Sequence, residues 1–267
     1  RPASRVDGRE VAMLLTVDIG NTNVVMGLMP TRGELASQLR FPTDKRRTVR
    51  EFMDGFEALV AMHGFDFSDV AGAVVSSVVP ELTESVVASV RAKTNLEPLV
   101  VNYKMNLGFS IDMDTPERLG VDMIADAAGA VNDYDGALAI FDMGTATTCS
   151  VLTSDRTYIG SIIYPGVVIS QDALTAQCSQ LPFIKFEKPK GLIGKNTVEC
   201  MYSGVLYSNA ATIDGLIDRI ADELGEPVTA IATGGVSRMI VPACRREIVH
   251  DPNLLLKGLW DLYKLNA

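Results

Sequence analysis

Residues 14–28 read LLTVDIGNTNVVMGL, and the fold turns on how this stretch is taken. An apolar run reaches Asp18, passes through Ile19, Gly20, Asn21, Thr22 and Asn23, and resumes at Val24 and Val25. Strand-forming residues on either side of a Gly-Asn turn predict a hairpin. One reading is an ordinary hairpin with a polar tip. The sharper reading is a phosphate loop. Gly20 has no Cβ, so a ligand can approach its backbone closely. Asn21, Thr22, Asn23 and the turn amides can contact phosphate oxygens, and Asp18 can hold magnesium through water.

A second copy favours the sharper reading. Residues 137–152, ALAIFDMGTATTCSVL, repeat the order of apolar strand, aspartate (Asp142), glycine (Gly144), hydroxyl residues (Thr145, Thr147, Thr148) and apolar strand. Residues 228–236, VTAIATGGV, form a third apolar strand that ends in Gly234 and Gly235, a bare surface on which a flat ring can lie. Two phosphate loops and one ring platform predict an ATP cleft between two related α/β halves. The ATP-binding set expected from them is Asp18, Ile19, Gly20, Asn21, Thr22, Asn23, Val24, Val25, Gly144, Thr145, Gly234 and Gly235.

Bulk properties bound the rest. The chain has 267 residues, 47% of them hydrophobic, enough for one large or two modest domains. No apolar run is long enough to span a bilayer, so no membrane association is expected. Residues 1–12 lack the apolar core of a signal peptide and are expected to be a tag or disordered extension, with Met13 as a start. A net charge of −9 argues against nucleic acid as a partner. Cys149, Cys178, Cys200 and Cys244 form no C-x-x-C pair, and His63 and His250 are the two histidines. A structural zinc site is not expected, and scattered thiols suit a cytoplasmic location.

Along the chain, residues 33–42 read as a strand after the hairpin. Residues 49–63 read as an amphipathic helix, 70–79 as a strand, 80–93 as a helix and 99–101 as a short strand. In the second half, 116–134 read as a helix, 137–163 as three strands, and 170–180 as helical. Residues 196–224 form a long helix whose apolar face carries Met201, Val205, Leu206, Ala210, Ile213, Ile217 and Ile220. The tail 240–257 mixes helix with a short strand. The halves are expected at 13–110 and 111–267, divided where polar and glycine-bearing residues interrupt the pattern.

The pieces DIGNTN (18–23), SSVVP (76–80), PERLGVD (116–122), DMGTATT (142–148), YPG (164–166), IGKNT (193–197) and ATGG (232–235) occur in one order and spacing. From Met13 onward the chain resembles the type III pantothenate kinases, in the superfamily of acetate and sugar kinases, heat-shock ATPases and actin. The resemblance implies two ribonuclease-H-like, actin-like ATPase domains. It also implies ATP-dependent phosphorylation of pantothenate to 4′-phosphopantothenate, the first step of coenzyme A biosynthesis. It makes Asp122 of Gly120-Val121-Asp122 the base that takes the acceptor proton, and Asp142 the ligand of a potassium or ammonium ion. Thr145 then contacts ATP and Thr197 the pantothenate. The resemblance further implies a homodimer.

The chain departs from the family on the acceptor side. The motif G-x-D-R ends here in Met123, which carries no charge and no donor. Met113 stands where a tyrosine is usual, and Gln177-Cys178-Ser179 replaces R-T-A. The pantothenate site expected here is therefore Gly120, Val121, Asp122, Met123, Thr197 and Met113. Two other readings stay open: a divergent nucleotide-binding paralogue with weak or no pantothenate activity, and a non-enzymatic accessory module.

Overall fold

The computed structural model describes residues 13–62, 64–185 and 187–267. The expectations for residues 1–12 and for His63 lie outside the described residues. The element order is β1 (Met13–Ile19), β2 (Asn23–Met29), β3 (Ser37–Pro42), α1 (Val49–Ala61), β4 (Val70–Ser77), α2 (Pro80–Thr94), β5 (Leu99–Val100), β6 (Ser110–Ile111), α3 (Val121–Asp133), β7 (Ala137–Met143), β8 (Ala146–Leu152), β9 (Thr157–Pro165), α4 (Val167–Gln177), α5 (Thr197–Leu224), β10 (Val228–Thr233), α6 (Ser237–Ile240), β11 (Val249–His250) and α7 (Leu254–Asn266). Two compact units result. One holds the chain up to Phe109 with Thr115–Asn132 and Asn253–Ala267; the other holds Ser110–Asp114 and Asp133–Pro252.

The first unit carries a five-stranded sheet in the order β3-β2-β1-β4-β5. β1 is antiparallel to β2 and parallel to β4. Its core joins Leu15, Val17, Ile19, Val24, Met26 and Leu28 to Phe52, Phe56 and Leu59 of α1 and Leu82, Val86 and Val90 of α2. Burying each such side chain contributes about 1.5–3 kcal/mol, so the hairpin register is fixed from within. α1 starts on a capping box in which Thr48 and Glu51 satisfy each other's backbone N–H groups.

The second unit's sheet runs β11-β10-β7-β8-β9-β6. Without β6, strand for strand, the order and the strand directions repeat those of the first unit. The repeat extends to burial: β1 and β7 bury the same positions, and so do β2 and β8. All seven apolar residues read on the face of α5 are buried.

Some boundaries differ from the sequence expectation. Residues 116–134 do not form one helix. Pro116–Arg118 make a single 3-10 turn, Leu119 is extended, and α3 begins at Val121. α4 runs from Val167 to Gln177 rather than over 170–180; its apolar residues surround the helix, so periodicity does not mark its ends. The tail helix α7 continues well past residue 257. Gly258 interrupts its pattern in the sequence, but in the fold it lets α7 cross α3: a Cβ at Gly258 would stand 1.7 Å from the Ala125 carbonyl oxygen. The strand β6 was not foreseen.

Candidate active site

The first loop, residues 20–22, joins β1 to β2. Asp18 pairs with Val25 and Ile19 with Val24, and the Gly20 N–H donates to the Asn23 carbonyl at 3.0 Å. Ile19 and Val24 are wholly buried in the core. Asp18, Gly20, Asn23 and Val25 are half-buried, and Asn21 and Thr22 exposed. The sequence reading missed Thr43. Its hydroxyl donates to the Gly20 carbonyl at 2.7 Å, and its N–H to the Thr22 carbonyl at 2.9 Å. These two bonds clamp the loop from outside the hairpin. The available signal was a lone threonine just beyond the strand ending at Pro42.

The second loop, residues 144–145, is one residue shorter. Asp142 pairs with Thr148, and the Gly144 N–H donates to the Ala146 carbonyl at 3.1 Å. Asp142 occupies the position in β7 that Asp18 occupies in β1, half-buried one residue before a buried strand end. Gly166 of the YPG turn packs onto this loop: a Cβ there would lie 2.4 Å from the Thr145 carbonyl oxygen and 2.6 Å from that of Gly144. Gly234, at the end of β10, abuts the same hairpin. A Cβ on Gly234 would stand 2.3 Å from Asp142 Oδ1 and 2.5 Å from the Met143 nitrogen. The structure thus brings Asp142, Gly144, Thr145 and Gly234 into one cluster within the second unit. Gly235 is exposed, with open space where its side chain would be.

Gly120, Val121, Asp122 and Met123 lie at the start of α3 in the first unit. Asp122 Oδ1 accepts the Met123 N–H at 2.9 Å. The glycine of the motif has a local cause, since a Cβ on Gly120 would lie 2.5 Å from that same oxygen. Burial pushes the Asp122 carboxyl above its ordinary value, against the opposing pull of the Met123 N–H and its own. Among the described residues no cationic side chain acts to bring it back down. Met123 is itself buried, with 7% exposure, and fills the space with a thioether.

The remaining expected residues belong to the second unit. Thr197 is the exposed first residue of α5, just after the Asn196 cap. Met113 is half-buried and follows β6. Two cavities contain none of the expected residues. One, of about 720 Å³, runs along α5, where Asp214 accepts the backbone N–H groups of Arg245 and Arg246 and Asp218 pairs with Arg246. The other, about 470 Å³, is an apolar groove on α4 lined by Pro165, Ile169, Leu174, Gln177 and Cys178, among others.

Aspartate, bare glycine and hydroxyl side chains at the tip of each hairpin are suited to polyphosphate and a hydrated cation. Comparison with known proteins agrees. A family model described as type III pantothenate kinase matches residues 14–219. A type III pantothenate kinase of Bacillus cytotoxicus is 35% identical over 255 residues, spanning 96% of this chain and 97% of that protein. Two solved structures share the fold at low identity. One is the activator of the 2-hydroxyisocaproyl-CoA dehydratase from Clostridium difficile with bound ADPNP (TM-score 0.57, 13% identity, 95% of each chain). The other is a ROK family glucokinase from Streptomyces griseus in complex with glucose and AMPPNP (TM-score 0.51, 16% identity, 94% of this chain and 98% of that one). The fold is that of the actin-like ATPases and sugar kinases, and the chain belongs to the type III pantothenate kinase family.

Proposed function

We propose that this chain transfers the γ-phosphoryl group of ATP to pantothenate, forming 4′-phosphopantothenate and ADP. The observation that carries the reading is the repeated hairpin, which sets Asp18 and Asp142 at equivalent half-buried positions, each two residues before a glycine. In this reading residues 20–23 and 144–145 hold the phosphates, and Gly234 and Gly235 receive the adenine. Asp122 accepts the proton of the attacking pantothenate hydroxyl as the oxygen–phosphorus bond forms and ADP leaves.

The residues present fit a magnesium ion. Among the described residues no three His, Cys, Asp or Glu side chains gather to hold a metal unaided. Magnesium that keeps its waters and shares the phosphates needs little more than Asp18. When bound, it neutralises phosphate charge. Asp142 is the carboxylate for a potassium or ammonium ion, which supplies further positive charge. Asp142 Oδ1 lies close to Gly234, where a Cβ would stand 2.3 Å from it.

Thr197, Met113 and Met123 complete the acceptor site. The homodimer has support in the exposed apolar side chains Ile163, Val168, Ile169 and Leu174 of the second unit, of which Ile169 and Leu174 line the α4 groove. No described helix is long and apolar enough to cross a membrane. Four free thiols suit the cytoplasm. The test is product formation from ATP and pantothenate with magnesium, with and without potassium. Potassium-dependent 4′-phosphopantothenate is expected. Nucleotide binding with no product would overturn the reading in favour of a divergent paralogue.

A further inference from the structure

Ser237 lies two residues beyond Gly235 and is wholly buried. Its hydroxyl donates to the Gly234 carbonyl at 2.7 Å, and its N–H reaches the same oxygen at 3.3 Å. Its Oγ also lies 3.0 Å from Nε2 of His250. With the hydroxyl proton given to Gly234, Oγ accepts from His250 in the tautomer that carries a hydrogen on Nε2. His250 is held in place by strand pairing: it lies opposite Ala232 of β10, and the next residue, Asp251, donates its N–H to the Ala232 carbonyl at 2.9 Å. Gly234 in turn is pressed against Asp142 and Met143.

We propose that His250 is a positioning residue for nucleotide. It fixes the Ser237 hydroxyl, which fixes the Gly234 peptide and so the platform on which adenine lies. This rests on the reading that Gly234 and Gly235 receive the nucleotide. His250 itself is exposed on the edge strand β11, so its loss removes an orienting bond and little of the core.

The experiment compares His250→Ala, His250→Gln and Gly235→Val in steady-state kinetics and in binding of a non-hydrolysable ATP analogue. Gln places an Nε2 donor at nearly the reach of the imidazole Nε2. A Cβ at 235 meets nothing within 4 Å, and Val there would occupy the ring platform. His250→Ala is expected to weaken analogue binding and raise the KM for ATP about two- to tenfold, the range for one neutral hydrogen bond. The kcat and the KM for pantothenate should stay within about twofold, and His250→Gln should restore the ATP values. Unchanged nucleotide affinity in His250→Ala, with weakened binding in Gly235→Val, would overturn the role of His250 and leave the platform standing. No effect from either variant would overturn the platform and the proposal together. A fall in kcat and both affinities that Gln fails to rescue would mark His250 as merely structural.

Discussion

Gly234→Ala should destabilise the protein far more than Gly136→Ala, although the two glycines share almost the same backbone. Gly234 has φ of +87° and Gly136 of +82°, both in the left-handed region. An alanine in that region costs about 1–2 kcal/mol at either site. The surroundings differ. A Cβ at Gly136 meets nothing within 4 Å, whereas at Gly234 it lies 2.3 Å from Asp142 Oδ1, 2.5 Å from the Met143 nitrogen and 2.7 Å from its carbonyl carbon. Two of those atoms are backbone in a paired strand and cannot swing aside. Overpacking of this kind adds about 1–3 kcal/mol. Gly234→Ala should therefore lose about 2–5 kcal/mol in urea unfolding, against about 1–2 for Gly136→Ala. Because the displaced atoms belong to Asp142 and Met143, affinity for the ATP analogue should fall only in the first variant. Equal losses of stability would falsify the close contact between β10 and the second hairpin.

Asp122→Asn should lower kcat about a hundred- to ten-thousandfold, the usual contribution of a general base, while leaving analogue binding intact. The same variant should melt higher than the parent at neutral pH. Burial raises the Asp122 pKa in the folded state, so the neutral form is favoured there, and stability is lost as pH rises through the folded value. Asn keeps the neutral state, and its advantage should vanish below the ordinary carboxylate pKa of 3.8; melting scans against pH decide it. Met123→Arg should move the acid limb of the kcat/KM profile to lower pH, since a nearby cation favours the ionised carboxylate; an unmoved limb would show that residue 123 does not reach Asp122. Of the four thiols, Cys178 and Cys200 are exposed and should react quickly with a disulfide reagent. Cys149 is buried with its thiol pushed up to about 12 and should react only on unfolding. Asp261→Ala should cost about 1.5–3 kcal/mol in urea unfolding, because Arg32 makes paired contacts to that carboxylate at 2.7 and 2.8 Å with both side chains largely covered.

The two hairpins were legible because each concentrates its signal in a dozen adjacent residues. Strand period, turn chemistry and core burial agree there, as the matched burial of β1 with β7 shows. The α5 face was legible for the same reason, since the helical period persists over 28 residues. α7 continues past residue 257 through Gly258, whose use is set by a helix more than a hundred residues away. Thr43 and the link from Ser237 to His250 were missed on similar grounds. Thr43 acts on a loop 23 residues earlier, and His250 reaches Ser237 only through the pairing of β11 with β10. A hydrogen bond across strands leaves no trace in local periodicity. Gly166 was quoted within the YPG turn, but its role follows only from the fold, where the turn closes on the Gly144 and Thr145 carbonyls.

The same distinction bears on Met123. On the proposed reading the ATP-side loops work largely through backbone, so their demands fall on glycines and short polar residues, and the chain keeps them. On the same reading the acceptor side works through side chains, where one substitution changes charge without disturbing the fold. Met123 is buried at the start of α3, beside a carboxylate that burial already makes more basic. An arginine there would hold substrate through charge, but would also stabilise ionised Asp122 and weaken it as a base. Methionine gives up the first effect and avoids the second. On the proposed role of Asp122, Met123→Arg should therefore lower the KM for pantothenate while raising kcat by less, or lowering it. A parallel rise in kcat would show that the arginine's main contribution lies in the transition state rather than in binding.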